Sequence, residues 1–404
     1  MPAASNPMQS VDLNARRRSI FWLVIAEIAA MALWFVSSAV LGDMRAESTM
    51  SDTIAALLTS SVTAGFVVGA LSLSILGLAD RYDPRLVFAI AAVTAGLANA
   101  ALLLVPIGHE GAIILRFLTG VCLAGVYPVG MKIMVGWGLH DRGLLVGLLV
   151  GGLTLGSAFP HLLAWIGGAQ WRLTTGISSL LAMLAALMML RVSLGPWHAR
   201  ASRFDPGAIR LAWVDRRLRL AFLGYLGHMW ELYALWAWVG VAAAASYSMQ
   251  LAPDEANSLA KLTAFIAIGS GALMCPLAGI YADRIGKARI TIISMAISGS
   301  AAIGTAVVFG GPVPLVFLLF VVWGLAVIPD SAQFSALVAD IAPADATGSL
   351  MTLQTALGFL LTLLTVQLTP LLATLVGWPI VLATLALGPV FGILAMRQLL
   401  KDVS

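Results

Sequence analysis

Seven ionisable side chains fall inside long apolar stretches of this sequence: Glu27, Arg116, Lys132, His161, His228, Glu231 and Asp330. A charge in such surroundings is costly, so each must be paired, reached by water, or used. The residue types suit two chemistries. A carboxyl group switched between apolar burial and a nearby cation can load and release a proton. A buried guanidinium can pair with a carboxylate or grip an anionic group through two parallel hydrogen bonds. Glu27 and Glu231 fit the first chemistry. Arg116 fits the second, either as the partner of Glu27 or as the holder of an anionic substrate.

Met31, Trp34 and Ser38 follow Glu27 at i+4, i+7 and i+11, which puts them on one face of a continuous helix. Glu231 follows Tyr225 and His228 and precedes Trp238 by two turns. Trp34, Tyr127, Tyr225, Trp230, Trp236 and Trp238 can stack on a substrate or join the aromatic belts of a membrane interface. His228-x-x-Glu231 has metal-ligand spacing, but a helical di-metal site needs a second such pair and two more carboxylates. No metal and no cofactor are expected. His161, which follows Pro160, reads as a hydrogen-bonding residue.

These groups need elements that lipid can surround. The chain has 404 residues, 60% hydrophobic and 10% charged, against roughly 25% charged in an average soluble domain. A spanning helix needs about 20 apolar residues. Such stretches recur at 19–41, 54–79, 86–106, 111–136, 143–166, 172–191, 219–246, 258–281, 289–309, 313–338, 347–375 and 378–399. They lack the period-two alternation of an outer-membrane barrel. The expected fold is an all-α membrane protein of 12 transmembrane helices. Basic residues crowd one set of ends: Arg16 to Arg18, Arg81, Arg85, Arg142, the 191–219 segment, Arg284, Lys287, Arg289, Arg397 and Lys401. Only Arg45, Arg172 and Lys261 mark the other. That asymmetry predicts a multi-pass protein of the cell inner (plasma) membrane with both termini cytoplasmic. It also accounts for the net charge of +4 without nucleic acid. Cys122 and Cys275 lie inside spans and imply no disulfide framework.

The chain repeats itself. Leu78-Ala79-Asp80-Arg81 returns as Tyr281-Ala282-Asp283-Arg284, and Glu27 with Trp34 returns as Glu231 with Trp238. Tyr127-Pro128 matches Ile328-Pro329, and Gln170-Trp171 matches Gly377-Trp378. The order and near-constant offset predict two six-helix pseudo-repeats of like orientation. The domain plan is a cytoplasmic tail over 1–14, a bundle over 15–191, a basic cytoplasmic linker over 192–217 and a second bundle over 218–400. Transporters built this way hold substrate near the midplane, between the halves.

The loop Gly279-Ile280-Tyr281-Ala282-Asp283-Arg284-Ile285-Gly286-Lys287-Ala288-Arg289 resembles the signature G-x-x-x-D-R-x-G-R-x-R of the major facilitator superfamily. Its first copy keeps Asp80, Arg81 and Arg85 but has Leu76 for the leading glycine and Asp83-Pro84 for Gly-Arg. Arg116-x-x-x-Gly120 resembles a second family motif. The glycines of span 5 resemble the antiporter motif without its Gly-Pro pair, so the direction of transport stays open.

The resemblance implies alternating access by a monomer. It implies a gate in which Asp80 lies against the start of span 11, near Thr347-Gly348, with Arg81, Asp283 and Arg284 in the paired loops. It links Arg116 to proton transfer and places the cytoplasmic gate on spans 4, 5, 10 and 11. There a Lys132–Asp330 pair, each residue following a proline, would close the halves; Lys132 snorkelling to the interface is the other reading. The expected function is secondary transport of a small solute, coupled to protons, with an anion favoured. The alternatives are a proton-driven exporter of lipophilic or cationic compounds, and a membrane sensor without flux. Enzymatic motifs such as H-E-x-x-H, G-x-S-x-G and a phosphate-binding loop are missing.

Overall fold

The structure, a computed structural model, describes residues 12–48, 50–138, 141–168, 170–198, 207–343 and 346–402, and not the side chains of Asp80, Ala208 and Ile209. Among the described residues, eleven helices are long and apolar enough to cross a membrane. In chain order they are span 1 (Leu13–Glu47), span 2 (Asp52–Leu76), span 3 (Pro84–Leu104), span 4 (Glu110–Val135), span 5 (Arg142–Ile166), span 6 (Trp171–Arg191), span 8 (Pro253–Ile285), span 9 (Lys287–Val307), span 10 (Val313–Ile341), span 11 (Thr347–Val376) and span 12 (Trp378–Lys401). Span 7, Arg216–Tyr247, has 32 residues and makes the twelfth. It falls short on hydropathy because His228, Glu231, three Trp and three Tyr interrupt its Ala and Leu. A helix so marked can stay in the membrane only if neighbours cover its polar face, and most of its length from Leu218 onward is buried.

Leucines and valines such as Leu104, Leu190, Val307 and Leu375 stand exposed on the outer faces, where lipid is their solvent. Small residues do the opposite work. Spans 5 and 8, from different halves, approach along most of their length. A Cβ at Gly147 would lie 2.9 Å from Cys275 O, and one at Gly151 2.8 Å from Ala272 O. Without a hydrophobic drive between helices in lipid, such close backbone approach supplies the van der Waals contact that joins them. Spans 2 and 11 form the second seam, where Gln367 donates to Ser60.

Among the described residues, spans 1, 4 and 10 are interrupted by three or four residues near mid-membrane, and span 12 by Ala386 alone. Span 4 breaks at Ala124–Val126 and span 10 at Ile328–Asp330, matched places in the two repeats. Pro128 and Pro329 lie at these breaks and withhold a backbone donor. Span 1 breaks at Ala32–Phe35, where the sequence holds neither proline nor glycine. A seven-residue helix, Ala208–Val214, lies within the linker segment and packs through Ala212 on Leu218, Phe222 and Leu350.

Candidate functional site

The break in span 1 is held by Arg116. This arginine is fully buried, and its guanidinium donates to Leu33 O at 2.9 Å, Trp34 O at 2.6 Å and Asn99 Oδ1 at 2.7 Å. Carbonyls freed by a non-helical turn in a membrane must find donors nearby, and one planar fork reaches both. Asn99 is fixed in turn by donating to Ser179 Oγ at 2.9 Å. Arg116 therefore neither pairs with Glu27 nor presents itself to an anion in this conformation. Leu33 and Trp34 lie six and seven residues beyond Glu27, about 9–10 Å along a helix.

The break also turns Trp34 off the face of Glu27, correcting the expectation of one continuous polar stripe. Glu27 is fully buried in the N-terminal half, where its Oε2 fills the space that a Cβ at Gly130 would enter at 2.9 Å. Neither carboxyl oxygen has a hydrogen-bond partner. Trp34 points instead to the seam between halves, its ring centroid 5.6 Å from that of Tyr233 and 5.7 Å from that of Phe359.

The C-terminal half gathers the other ionisable groups. Glu231 accepts from Ser298 Oγ at 2.5 Å and from Trp323 Nε1 at 3.1 Å. One turn away, His228 Nδ1 lies 3.0 Å from Asp330 Oδ1, at ion-pair distance but off the line of a good hydrogen bond. All three are at most 1% exposed. Asp330 sits in the break of span 10. Tyr225 lies tilted beside His228, centroids 6.1 Å apart, and Trp238 Nε1 donates to Val366 O at 3.0 Å.

The expected Lys132–Asp330 pair is not formed. Asp330 turns back to span 7 of its own half, and Lys132 Nζ donates to Ala79 O at 2.8 Å, at the end of the first signature loop. The half-helices that would carry the pair, Tyr127–Val135 and Ser331–Ile341, scarcely touch. Tyr127 is half-buried at the start of the former. Asp80 falls outside the described side chains, and Arg81 is exposed. In the second loop Arg284 is exposed, while Asp283 lies across the halves over the first turn of span 5, with Oδ2 3.8 Å from where a Cβ of Gly143 would be. A carboxylate so placed gains about 0.3–1 kcal/mol from the helix end. At the opposite ends, Lys261 bridges the halves, donating to both Asp43 oxygens at 2.8 and 3.0 Å and to Gly168 O at 3.1 Å.

Asn99, Ser298 and Trp323 went unrecognised in the sequence, as did the seam aromatics Phe35, Phe66, Tyr233 and Phe359. Asn99 was detectable in principle: an amide in an otherwise apolar span needs a partner, and so does a buried arginine. His161 is buried, with Nε2 lacking a partner, and its Cε1 faces Gly240 of span 7. Among the described residues no three His, Cys, Asp or Glu converge as metal ligands would.

Known proteins share this architecture. The solved structure of a D-xylose–proton symporter superimposes with a TM-score of 0.71 at 16% identity, covering 95% of this chain and 98% of that one. The nucleoside transporter NupG gives 0.70 at 16% identity, over 94% of this chain and 99% of that one. A bacterial homologue of the human lysosomal transporter Spinster, inward-facing and unoccupied, gives 0.70 at 15% identity, over 96% and 98%. At such identities the likeness is one of fold. An uncharacterised transporter of Saccharomyces cerevisiae, ESBP6, is 24% identical over 189 residues, which are 44% of this chain; the match spans only 27% of the yeast protein. The profile of the Major Facilitator Superfamily matches residues 23–366. The two six-helix repeats, the paired loop motifs and that match establish that the chain belongs to the Major Facilitator Superfamily and is a multi-pass membrane transporter, not an enzyme.

Proposed function

We propose that this transporter is proton-coupled, with the coupling group in the C-terminal half. The observation that carries this is the cluster of Asp330, His228 and Glu231, buried together at the break of span 10. Two carboxyl groups and an imidazole in a dry site cannot all carry full charge without large desolvation costs. Their proton count therefore depends on whether water reaches the break. Rocking of the bundle over 15–191 against that over 218–400, about the linker 192–217, would open the break to one side and then the other. The fold is shared with a D-xylose–proton symporter, which is consistent with such coupling. On the positive-inside pattern, both termini face the cytoplasm across the inner (plasma) membrane. Glu27 is a second protonatable group, in the matched place of the other half.

An anionic substrate finds little support in this arrangement, because, of the three residues that favoured it, Arg116 and Lys132 are engaged by backbone carbonyls and His161 is buried against span 7. The uncharged or lipophilic class is favoured. The test is reconstitution in vesicles containing a pH-sensitive dye. Solutes that raise the melting temperature of the purified protein are added outside. The expected result is solute-driven proton movement that Glu231→Gln and Asp330→Asn abolish while the melting temperature holds. Solute flux with no pH change, and indifferent to an uncoupler, would overturn the coupling; binding without any flux would point to a sensor.

A further inference from the structure

Six aromatic rings meet where the halves face each other: Trp34 and Phe35 of span 1, Phe66 of span 2, Tyr233 and Trp236 of span 7, and Phe359 of span 11. Trp34 lies 4.8 Å from Phe66, Tyr233 lies 5.0 Å from Phe359, and Phe35 lies 5.9 Å from Trp236, between ring centroids. None of the six is more than 4% exposed, and none is charged. Aromatic packing alone would describe an ordinary core.

Two atoms make it otherwise. The indole N–H groups of Trp34 and Trp236 are buried with no partner. Elsewhere buried indoles find acceptors: Trp137 donates to Ser193 O, Trp230 to Thr384 O, Trp238 to Val366 O and Trp323 to Glu231. Trp171 stands beside the Glu47 carboxylate and lines a water-sized cavity of about 10 Å³. A buried N–H left unmade is a standing cost, and these two stand on a surface that must part when the halves rock.

We propose that the six rings are the seat of the transported solute, and that this solute is an uncharged, planar aromatic compound bearing hydrogen-bond acceptors such as a carbonyl or ring nitrogen. The proposal rests on the transporter reading above and names the substrate class. Rings that stack on each other when the seam is empty would stack on a flat solute when it is filled, and the two N–H groups would meet its acceptors. A polyol would find aromatic faces but few polar partners. An anion would have to take Arg116 from Leu33 and Trp34, and a cation would find Glu27 and Glu231 turned into their own halves.

The test is a thermal-shift titration of the full chain in detergent with five probes: coumarin, naphthalene, benzoate, tetraphenylphosphonium and D-xylose. Coumarin is expected to raise the melting temperature most, with naphthalene weaker for want of an acceptor. Trp236→Phe and Trp34→Phe each keep a ring and delete an N–H. Each is expected to weaken coumarin about fivefold, the worth of one hydrogen bond, and to leave naphthalene unchanged. Two such variants guard against one that folds poorly. The proposal is overturned if only benzoate, tetraphenylphosphonium or xylose shifts the protein, if no probe does, or if coumarin binding is untouched in both variants. Proton movement driven by xylose or benzoate in vesicles would remove this substrate class and spare proton coupling. Coumarin binding without proton movement would do the reverse.

Discussion

Glu27 and Glu231 hold matched places in the two repeats and live in opposite circumstances. Glu231 has two donors, Ser298 on span 9 and Trp323 on span 10. The corresponding N-terminal positions, Thr94-Ala95 and Thr119 to Cys122, offer no indole, and the two threonines give their hydroxyls to Ile90 O and Leu115 O of their own helices. Glu27 is left without partners. The matched tryptophans differ likewise: Trp238 has Val366 O, and Trp34 has nothing. Span 1 is broken where span 7 runs unbroken for 32 residues. Span 10 reads Phe-Leu-Leu-Phe over 317–320, opposite Arg116 in the alignment of the repeats, so the C-terminal half has no cation there to hold a break open. Duplication supplied one scaffold twice. Divergence then left Glu27 and Trp34 without hydrogen-bond partners in the N-terminal half and gave partners to their counterparts Glu231 and Trp238.

The comparison breaks most visibly at Arg116. Arg116→Leu leaves the carbonyls of Leu33 and Trp34 and the Asn99 side chain without their donor, at about 1–3 kcal/mol for each buried group. A loss of about 3 kcal/mol or more is expected in chemical unfolding of the purified protein, only partly recovered by Arg116→Lys, whose point charge cannot span both carbonyls. An unchanged stability would mean that the break does not depend on this side chain.

Matched substitutions at the two glutamates should differ in sign. Glu231→Met strands two donors and is expected to destabilise by about 2 kcal/mol. Glu27→Met removes a polar group that has no partner and is expected to stabilise by about 1 kcal/mol. Melting temperatures measured side by side decide this, and shifts of the same sign would erase the asymmetry argued from the hydrogen bonds. At the tryptophans the contrast is smaller. Trp238→Phe should lose about 1 kcal/mol for its bond to Val366, beyond what Trp34→Phe loses from packing alone.

The smallest difference lies in the loops. Asp83 caps span 3, accepting from Arg85 N, where the second loop has Gly286 at φ 95° and no side-chain cap. The Arg85 side chain, hydrogen-bonded to Asp83, holds the Asp83 carboxyl below the usual carboxylate range. A group so shifted contributes stability above its unfolded pKa and loses it as pH falls through the folded value. Asp83→Ala should therefore cost about 0.5–1 kcal/mol at neutral pH. In pH-resolved melting the gap from wild type should close only in strong acid.

The spans, the repeat and the loop motifs were legible because lipid imposes length and composition residue by residue. Span 7 was legible despite its Trp, Tyr, His and Glu, since 219–246 is an apolar stretch of spanning length that follows a strongly basic segment. The partners of the charged groups were not. Arg116 binds backbone carbonyls, which every residue has and no sequence pattern marks. Its break falls in Ala32-Leu33-Trp34-Phe35, which contains no helix-breaking residue, so a face projected from Glu27 goes astray after Met31. Matched prolines suggested that Lys132 and Asp330 would meet. They fix where spans 4 and 10 bend, but not which way the following side chain turns.

What the sequence determined by itself is the architecture: twelve membrane helices in two like-oriented halves, with few charges and each of them significant. Hydrophobic length and repetition are local properties, and they add up along the chain. The tertiary structure alone decided which charges are satisfied, which tryptophans keep an unmet N–H, and that six aromatic rings close the seam between the halves. Those outcomes depend on how helices rotate and bend against one another, and a single buried guanidinium is enough to redirect one of them.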